Sequence, residues 1–190
     1  MQRIAVALLL MLVPLAAANE AATAALFAAV RANNATAVRA AASAGARLNE
    51  QQPPLSPAKQ TPLMHASLTG APEAAAALLE LGADPSLGEK DGYTPLHGAA
   101  FQGRAAVARV LLADPRVPNA PHADGNWPIH RACWGREARH ADTVRAFLEN
   151  GGGLGLKNGE GQTPLDLARR SGNAQTIDLL TNWGGAGDEL

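Results

Sequence analysis

The segment TPLHGAAFQG, residues 94–103, contains the start and stop signals of one short helix. Thr94 can cap the helix through its hydroxyl, and Pro95 suits the first helical position, where its missing N–H would have no partner. Leu96 begins an apolar stripe, and Gly103 can close the helix in a left-handed backbone conformation. The segment therefore predicts a helix that begins at Pro95 and ends before Gly103.

The same start signal recurs along the chain at an almost constant spacing. Thr-Pro-Leu occupies residues 61–63, 94–96 and 163–165, and a degenerate copy, Trp-Pro-Ile, occupies 127–129, so the copies are 33, 33 and 36 residues apart. A second helix is predicted after each copy, over residues 74–81, 105–113, 143–150 and 174–182. Such a period indicates stacked repeats, in which units that cannot bury an apolar face alone share one core.

These motifs resemble the ankyrin repeat family. Residues 94–100 with Gly103 follow its signature almost position for position, and residues 78–84, LLELGAD, match the end of its second helix. The resemblance implies an all-α solenoid of helix-turn-helix units joined by β-turn or hairpin loops. We expect the array to occupy residues 19–190, with five units at about 24–49, 61–86, 94–119, 127–155 and 163–183 and a short C-terminal tail. The first unit lacks Thr-Pro-Leu and is interpreted as a capping repeat.

The N-terminus has the pattern of a cleaved signal peptide over residues 1–18. Arg3 precedes an apolar run over 4–18, and Ala16-Ala17-Ala18 fits a small-residue cleavage site. An uncleaved membrane anchor is the alternative. The prediction places the protein in the secretory pathway, as a secreted or endoplasmic-reticulum protein, or in the periplasm if the source is bacterial.

Two short motifs agree with a secretory location and also have plainer explanations. The C-terminal Gly-Asp-Glu-Leu, residues 187–190, resembles a retention address without its basic first residue. The sequon that begins at Asn34 could be glycosylated, or it could be only an inter-helix turn with a helix cap.

Composition excludes several classes of function. Lys and Arg number 16 against 17 Asp and Glu, a formal net charge of −1, which disfavours a generally basic nucleic-acid binder. One cysteine excludes an internal disulfide and a multi-cysteine metal site. No catalytic or cofactor-binding motif is present, so we expect neither an enzyme nor a cofactor. A zinc site built from His122, Cys133 and His140 is an alternative that their spacing does not favour.

Two histidines fall at the fourth position of the start signal. The resemblance implies that His97 and His130 are structural hydrogen-bonding residues, and Asp166 occupies the same position in the last unit.

The resemblance also implies a partner-binding groove lined by the hairpin tips and the first helix of each unit. Transferred by position, it places three aromatic side chains on neighbouring units of one surface. Aromatic residues are only 4% of the chain, so this grouping predicts an interface patch, unless Phe101 or Trp134 packs against the next repeat. The predicted contacts are Tyr93, Phe101 and Trp134, with Gln102, Asn126, Arg131 and Arg170 as polar partners.

The predicted function is non-catalytic binding of another protein by a monomer that contacts neither nucleic acid nor, after signal cleavage, a membrane. The alternative is a regulatory or protective accessory subunit of a secretory or periplasmic enzyme. Two irregular segments could add contacts or be tolerated insertions: the proline-rich stretch 51–57 and the long inter-helix segment 135–142.

Overall fold

The computed structural model describes the backbone of residues 2–51 and 59–183, and within these ranges the side chains from residue 17 onward. These ranges contain helices joined by turns, and no strand. The helices are α1 Gln2–Arg31, α2 Ala35–Ser43, α3 Pro62–Thr69, α4 Pro72–Glu80, α5 Pro95–Phe101, α6 Ala105–Leu112, α7 Pro128–Cys133, α8 Ala138–Glu149, α9 Pro164–Ser171 and α10 Ala174–Asn182. Most of the proline-rich stretch and the C-terminal tetrapeptide lie outside the described residues.

The helices pair into five units that stack in sequence order. The first helices of the units, α1, α3, α5, α7 and α9, each pack on the next, and the second helices, α2, α4, α6, α8 and α10, do the same. One continuous cluster of buried apolar residues runs through the stack, from Leu26 to Leu180. The predicted all-α solenoid is confirmed.

Four of the first helices begin with proline at their first position, as predicted. The Thr61 hydroxyl accepts a hydrogen bond from the backbone N–H of Met64 at 3.2 Å, which is the expected cap. Thr94 differs, because its hydroxyl pairs with the His97 imidazole at 2.9 Å instead of capping the backbone. Gly70, Gly103 and Gly172 have the left-handed conformation that the sequence predicted, with φ of 81°, 67° and 76°.

The second helix of the fourth unit begins earlier than predicted. Residues 135–142 were expected to be a long inter-helix loop, but α8 begins at Ala138, so the additional residues form one more helical turn. His140 and Ala141 on this turn are buried, and burial of that face stabilises it as helix. In the second unit, α4 likewise begins at Pro72 rather than at residue 74.

The first unit differs from the others in its first helix and in the turn that follows that helix. Helix α1 continues through position 18 without a break, and cleavage after Ala18 stays a prediction. Asn33 takes the left-handed place that glycine holds in other units, with φ of 49°. Asn34 caps α2 by accepting a hydrogen bond from Ala37 N at 3.0 Å, which agrees with the inter-helix turn considered for the sequon.

The last unit ends the stack with a polar outer face. Leu180 is buried and Ile177 packs against the core, whereas Gln175 and Asp178 are exposed, as predicted for a terminal repeat. None of the helices within the described residues combines the length and the apolar character that a membrane crossing requires.

Candidate partner-binding groove

Three hairpin tips, residues 89–93, 122–126 and 158–162, form one edge of the candidate site. In each, the first residue donates its backbone N–H to the carbonyl of the last, at 3.1, 2.9 and 2.9 Å. Neighbouring tips are joined: His122 Nε2 donates to the Asp91 carbonyl at 2.8 Å, and Asn158 Nδ2 donates to Asn126 Oδ1 at 3.0 Å. We call the surface formed by these tips and by α3, α5, α7 and α9 the inner groove.

His97 fixes the third unit to the tip that follows it. Its Nε2 faces the Asn126 carbonyl at 3.3 Å and must donate there, so Nδ1 accepts from the Thr94 hydroxyl at 2.9 Å. Burial lowers the pKa of His97 to about 4, which keeps the ring neutral near pH 7.

His130 repeats this arrangement one unit later. Its Nδ1 accepts from the Trp127 N–H at 3.3 Å and its Nε2 donates to the Gln162 carbonyl at 3.1 Å. Asp166, in the same position of the last unit, caps α9 by accepting from the N–H and the hydroxyl of Thr163 at 2.9 and 2.7 Å. Both histidines therefore make the structural hydrogen bonds that the resemblance implied.

An arginine packed against two aromatic rings lies at the centre of the groove. The guanidinium carbon of Arg131 is 4.3 Å from the centroid of the Tyr93 ring and 4.2 Å from that of Trp134. Both contacts are within the range of cation–π attraction. We call these three residues the aromatic–arginine stack. The stack joins the tip before the third unit to the first helix of the fourth, so it orders the groove across two units.

Asp124 forms hydrogen bonds with two residues of the aromatic–arginine stack. It accepts hydrogen bonds from the Arg131 guanidinium and from the Tyr93 hydroxyl, the latter at 3.0 Å. Partial burial of Asp124 opposes ionisation, but hydrogen bonds from Asn126, His122 and Tyr93 outweigh it and hold the pKa of this carboxyl far below its usual range. Asp124 is therefore ionised at neutral pH and balances the charge of Arg131.

The exposed part of this surface is aromatic. Phe101 is 50% exposed and Trp134 is 39% exposed, and both are among the four large hydrophobic residues that the described chain leaves open to solvent. Trp134 packs part of its ring on Arg131, which lies in the same unit and not in the next repeat. Large aromatic side chains that keep this much exposed surface are typical of protein interfaces.

Two open cavities lie along the groove. The first, of about 290 Å³, lies between the second and third units, with Met64, Leu68 and Phe101 among its apolar lining and the carboxylates of Glu89 and Asp91 at its edge. The second, of about 400 Å³, lies between the fourth and fifth units and is polar. Trp134, Leu167, Glu160 and two arginines, Arg136 and Arg170, are among its lining residues.

The residues predicted as contacts divide between these cavities. Tyr93, Phe101, Gln102 and Arg131 line the first, and Asn126, Trp134 and Arg170 line the second. Asn126 and Arg131 are only 8% and 9% exposed, because their side chains bond to Asn158 and Asp124. These two residues shape the groove from within, and their role as direct contacts stays a prediction.

The three residues considered for zinc are each engaged elsewhere. His122 is bound to the Asp91 carbonyl and lies over the Tyr93 ring, with ring centroids 3.8 Å apart. His140 donates from Nε2 to the Phe101 carbonyl at 3.2 Å. Cys133 is fully buried, and burial raises the pKa of its thiol well above the usual value. Among the residues whose side chains are described, no group of three His, Cys, Asp or Glu residues could hold a metal ion.

Asp124 was not identified from the sequence as part of the site. The only signal was its place in the tip at 122–126, where it corresponds to Asp91 of the preceding tip.

A family model described as ankyrin repeats (3 copies) matches residues 4–89 and 26–120 of this chain. Together the two ranges cover more than half of the chain. A search among curated proteins gives no match to this chain.

Proposed function

The chain belongs to the ankyrin repeat family, whose repeats are generally protein–protein interaction modules and typically non-catalytic, and we propose that it binds a protein partner through the inner groove. The observation that supports this proposal is the aromatic surface formed by Phe101 and the aromatic–arginine stack. Interface energy is concentrated in such anchors, where removal of one side chain often costs about 2 kcal/mol or more of binding free energy.

The stack is ordered before any partner arrives. Its cation–π contacts and the Asp124 hydrogen bonds fix the Tyr93 and Trp134 rings in place. A preformed surface loses less side-chain entropy on binding than one that must be ordered by its partner. This arrangement favours a groove that is rigid before binding over a groove that becomes ordered only on contact with its partner.

The test is a crosslinking pull-down from the source cells with three forms of the protein. Wild type is compared with Phe101→Ala/Trp134→Ala, which removes the exposed rings and leaves Tyr93, Arg131 and Asp124 in place. The matched control is Leu81→Ala/Leu154→Ala, because these are the other two exposed large hydrophobic residues and they line neither groove cavity.

A partner captured by wild type and by the leucine control, and lost from the aromatic variant, is the expected result. Equal capture by all three forms would contradict the proposed groove. Circular dichroism of each variant establishes that it is folded. The narrower hypothesis of an accessory subunit for a secreted or periplasmic enzyme stays a prediction, which identification of the captured partner would test.

A further inference from the structure

The two ends of the inner groove differ in chemistry. The first cavity combines an apolar lining, including Met64, Leu68 and Phe101, with carboxylates at Glu89 and Asp91. The second cavity contains two arginines, Arg136 and Arg170, and one acidic residue, Glu160. A ligand that lies along the groove therefore meets an apolar site with acidic edges at one end and a cationic site at the other.

Neither arginine of the second cavity is neutralised within the described residues. Both are exposed, and neither forms an ion pair with any carboxylate there. Arg131, in contrast, is paired with Asp124, and Arg139 is paired with Glu137. Two unpaired guanidiniums beside the half-exposed Trp134 ring form a site suited to a carboxylate, which guanidinium binds through two parallel hydrogen bonds.

From this charge arrangement we infer that the partner segment is an extended stretch of protein carrying an apolar anchor side chain for the first cavity and an acidic side chain for the second. The inference rests on the proposed function and specifies its partner. Glu89 forms no ion pair within the described residues and repels a carboxylate at the first cavity, whereas Asp91 is paired with Lys90 at 2.8 Å. The two ends of the segment are therefore not interchangeable.

The fold also sets the distance between the two side chains. The first cavity lies between α3 and α5, and the second lies beside α7 and α9, two units further along. Packed helices lie about 8–10 Å apart, so cavities two units apart are separated by about 16–20 Å. An extended chain advances about 3.3 Å per residue, which places the acidic residue about five or six residues from the apolar anchor.

The test uses a library of random 12-residue peptides displayed on phage and selected on the purified protein. Enriched peptides are expected to pair Leu, Met or Phe with Asp or Glu at that separation. A synthetic copy of the most enriched peptide is then titrated by fluorescence anisotropy. Replacing its acidic residue by the matching amide should weaken binding to wild type about tenfold, since a charge-assisted hydrogen-bond pair is lost.

Two protein variants complete the cycle. In Arg136→Gln/Arg170→Gln, the acidic peptide should bind about tenfold more weakly than to wild type, and the amide peptide should bind both forms alike. The matched control is Arg145→Gln/Arg169→Gln, which removes the same charge from two exposed arginines outside both cavities. The control should bind the acidic peptide as wild type does.

The outcomes separate this inference from the proposed function. Peptides that lose binding in Phe101→Ala/Trp134→Ala but show no acidic preference, and no response to Arg136→Gln/Arg170→Gln, would overturn the bipartite partner and leave groove binding intact. Tighter binding of a peptide with phosphoserine in place of the acidic residue would overturn the carboxylate assignment. If no peptide is enriched, or none responds to either variant, the bipartite partner is overturned, and the pull-down with Phe101→Ala/Trp134→Ala decides groove binding separately.

Discussion

Gly135 lies directly against the imidazole of His140, and this contact yields a quantitative prediction. A Cβ atom at position 135 would be 1.9 Å from Cδ2 and 2.0 Å from Cγ of His140. Non-bonded carbon atoms stay about 3.5–4 Å apart, so the ring would have to move by about 1.5 Å or more. Gly135 does not have a positive φ, so the position requires glycine for space and not for backbone conformation.

Gly135→Ala should lower the free energy of unfolding by about 2–5 kcal/mol. Overpacking a filled site costs about 1–3 kcal/mol. Displacement of the ring also breaks the hydrogen bond from His140 Nε2 to the Phe101 carbonyl, and the loss of this hydrogen bond costs about 1–2 kcal/mol. The measurement is urea unfolding followed by far-UV circular dichroism.

A double-mutant cycle separates the clash from other effects of the substitution. His140→Ala removes the ring, so the added methyl group in Gly135→Ala/His140→Ala meets open space. The double variant should be only slightly less stable than His140→Ala, so the coupling should be about 2–5 kcal/mol, nearly the whole cost of Gly135→Ala. Gly155→Ala is the control, because a Cβ there meets nothing within 4 Å, and it should be nearly neutral. Effects of Gly135→Ala and His140→Ala that add within about 0.5 kcal/mol would refute the reasoning.

Three further predictions concern stability and reactivity. Lowering the pH from 6.5 towards 4 should destabilise the fold, because unfolded His97 binds a proton at its usual pKa of 6.5 whereas burial lowers the folded pKa to about 4. Urea unfolding across this range should show a shallower pH dependence for His97→Gln, and an unchanged profile would contradict the assignment. The buried Cys133 thiol, whose pKa burial raises, should react with a thiol reagent only in denaturant. Rapid reaction of the native protein would contradict this. Asn173→Ala should cost about 2 kcal/mol, since its side chain caps α10 and donates to two carbonyls of the fourth unit. The exposed Asn182→Ala is its control, and equal urea midpoints for the two variants would show the prediction to be wrong.

Local signals in the sequence were sufficient to predict the repeat architecture. Proline at the first helical position and glycine at the close each act within one turn of the chain, so their effect on the backbone could be inferred without the rest of the fold. The structural role of His97 was also accessible, because the resemblance implies a hydrogen-bonding histidine at this position. The prediction for residues 135–142 was wrong because it relied on register with the neighbouring units. The burial of His140 and Ala141, which extends α8, depends on packing against the third unit.

The aromatic–arginine stack could be predicted only in part. The positions of Tyr93 and Trp134 on one surface followed from the resemblance, transferred by position along the repeats. The insertion of Arg131 between them depends on Asp124, which lies 31 residues from Tyr93 in sequence and is brought to it by the pairing of adjacent hairpin tips. The role of Arg131 depends on Tyr93, 38 residues away in the preceding hairpin tip, so no local pattern reveals it.

The succession of units has a consequence for how the two cavities respond to temperature. Each unit contacts mainly its immediate neighbours, so the terminal pair α9–α10 can detach while the central units stay folded. Detachment removes Arg170 and opens the second cavity, but it leaves α3 and α5, which form most of the first, untouched. Fraying of the last unit on warming would thus turn a two-point attachment into a one-point attachment. Selectivity for the acidic end of a partner would be lost well before the apolar end is released.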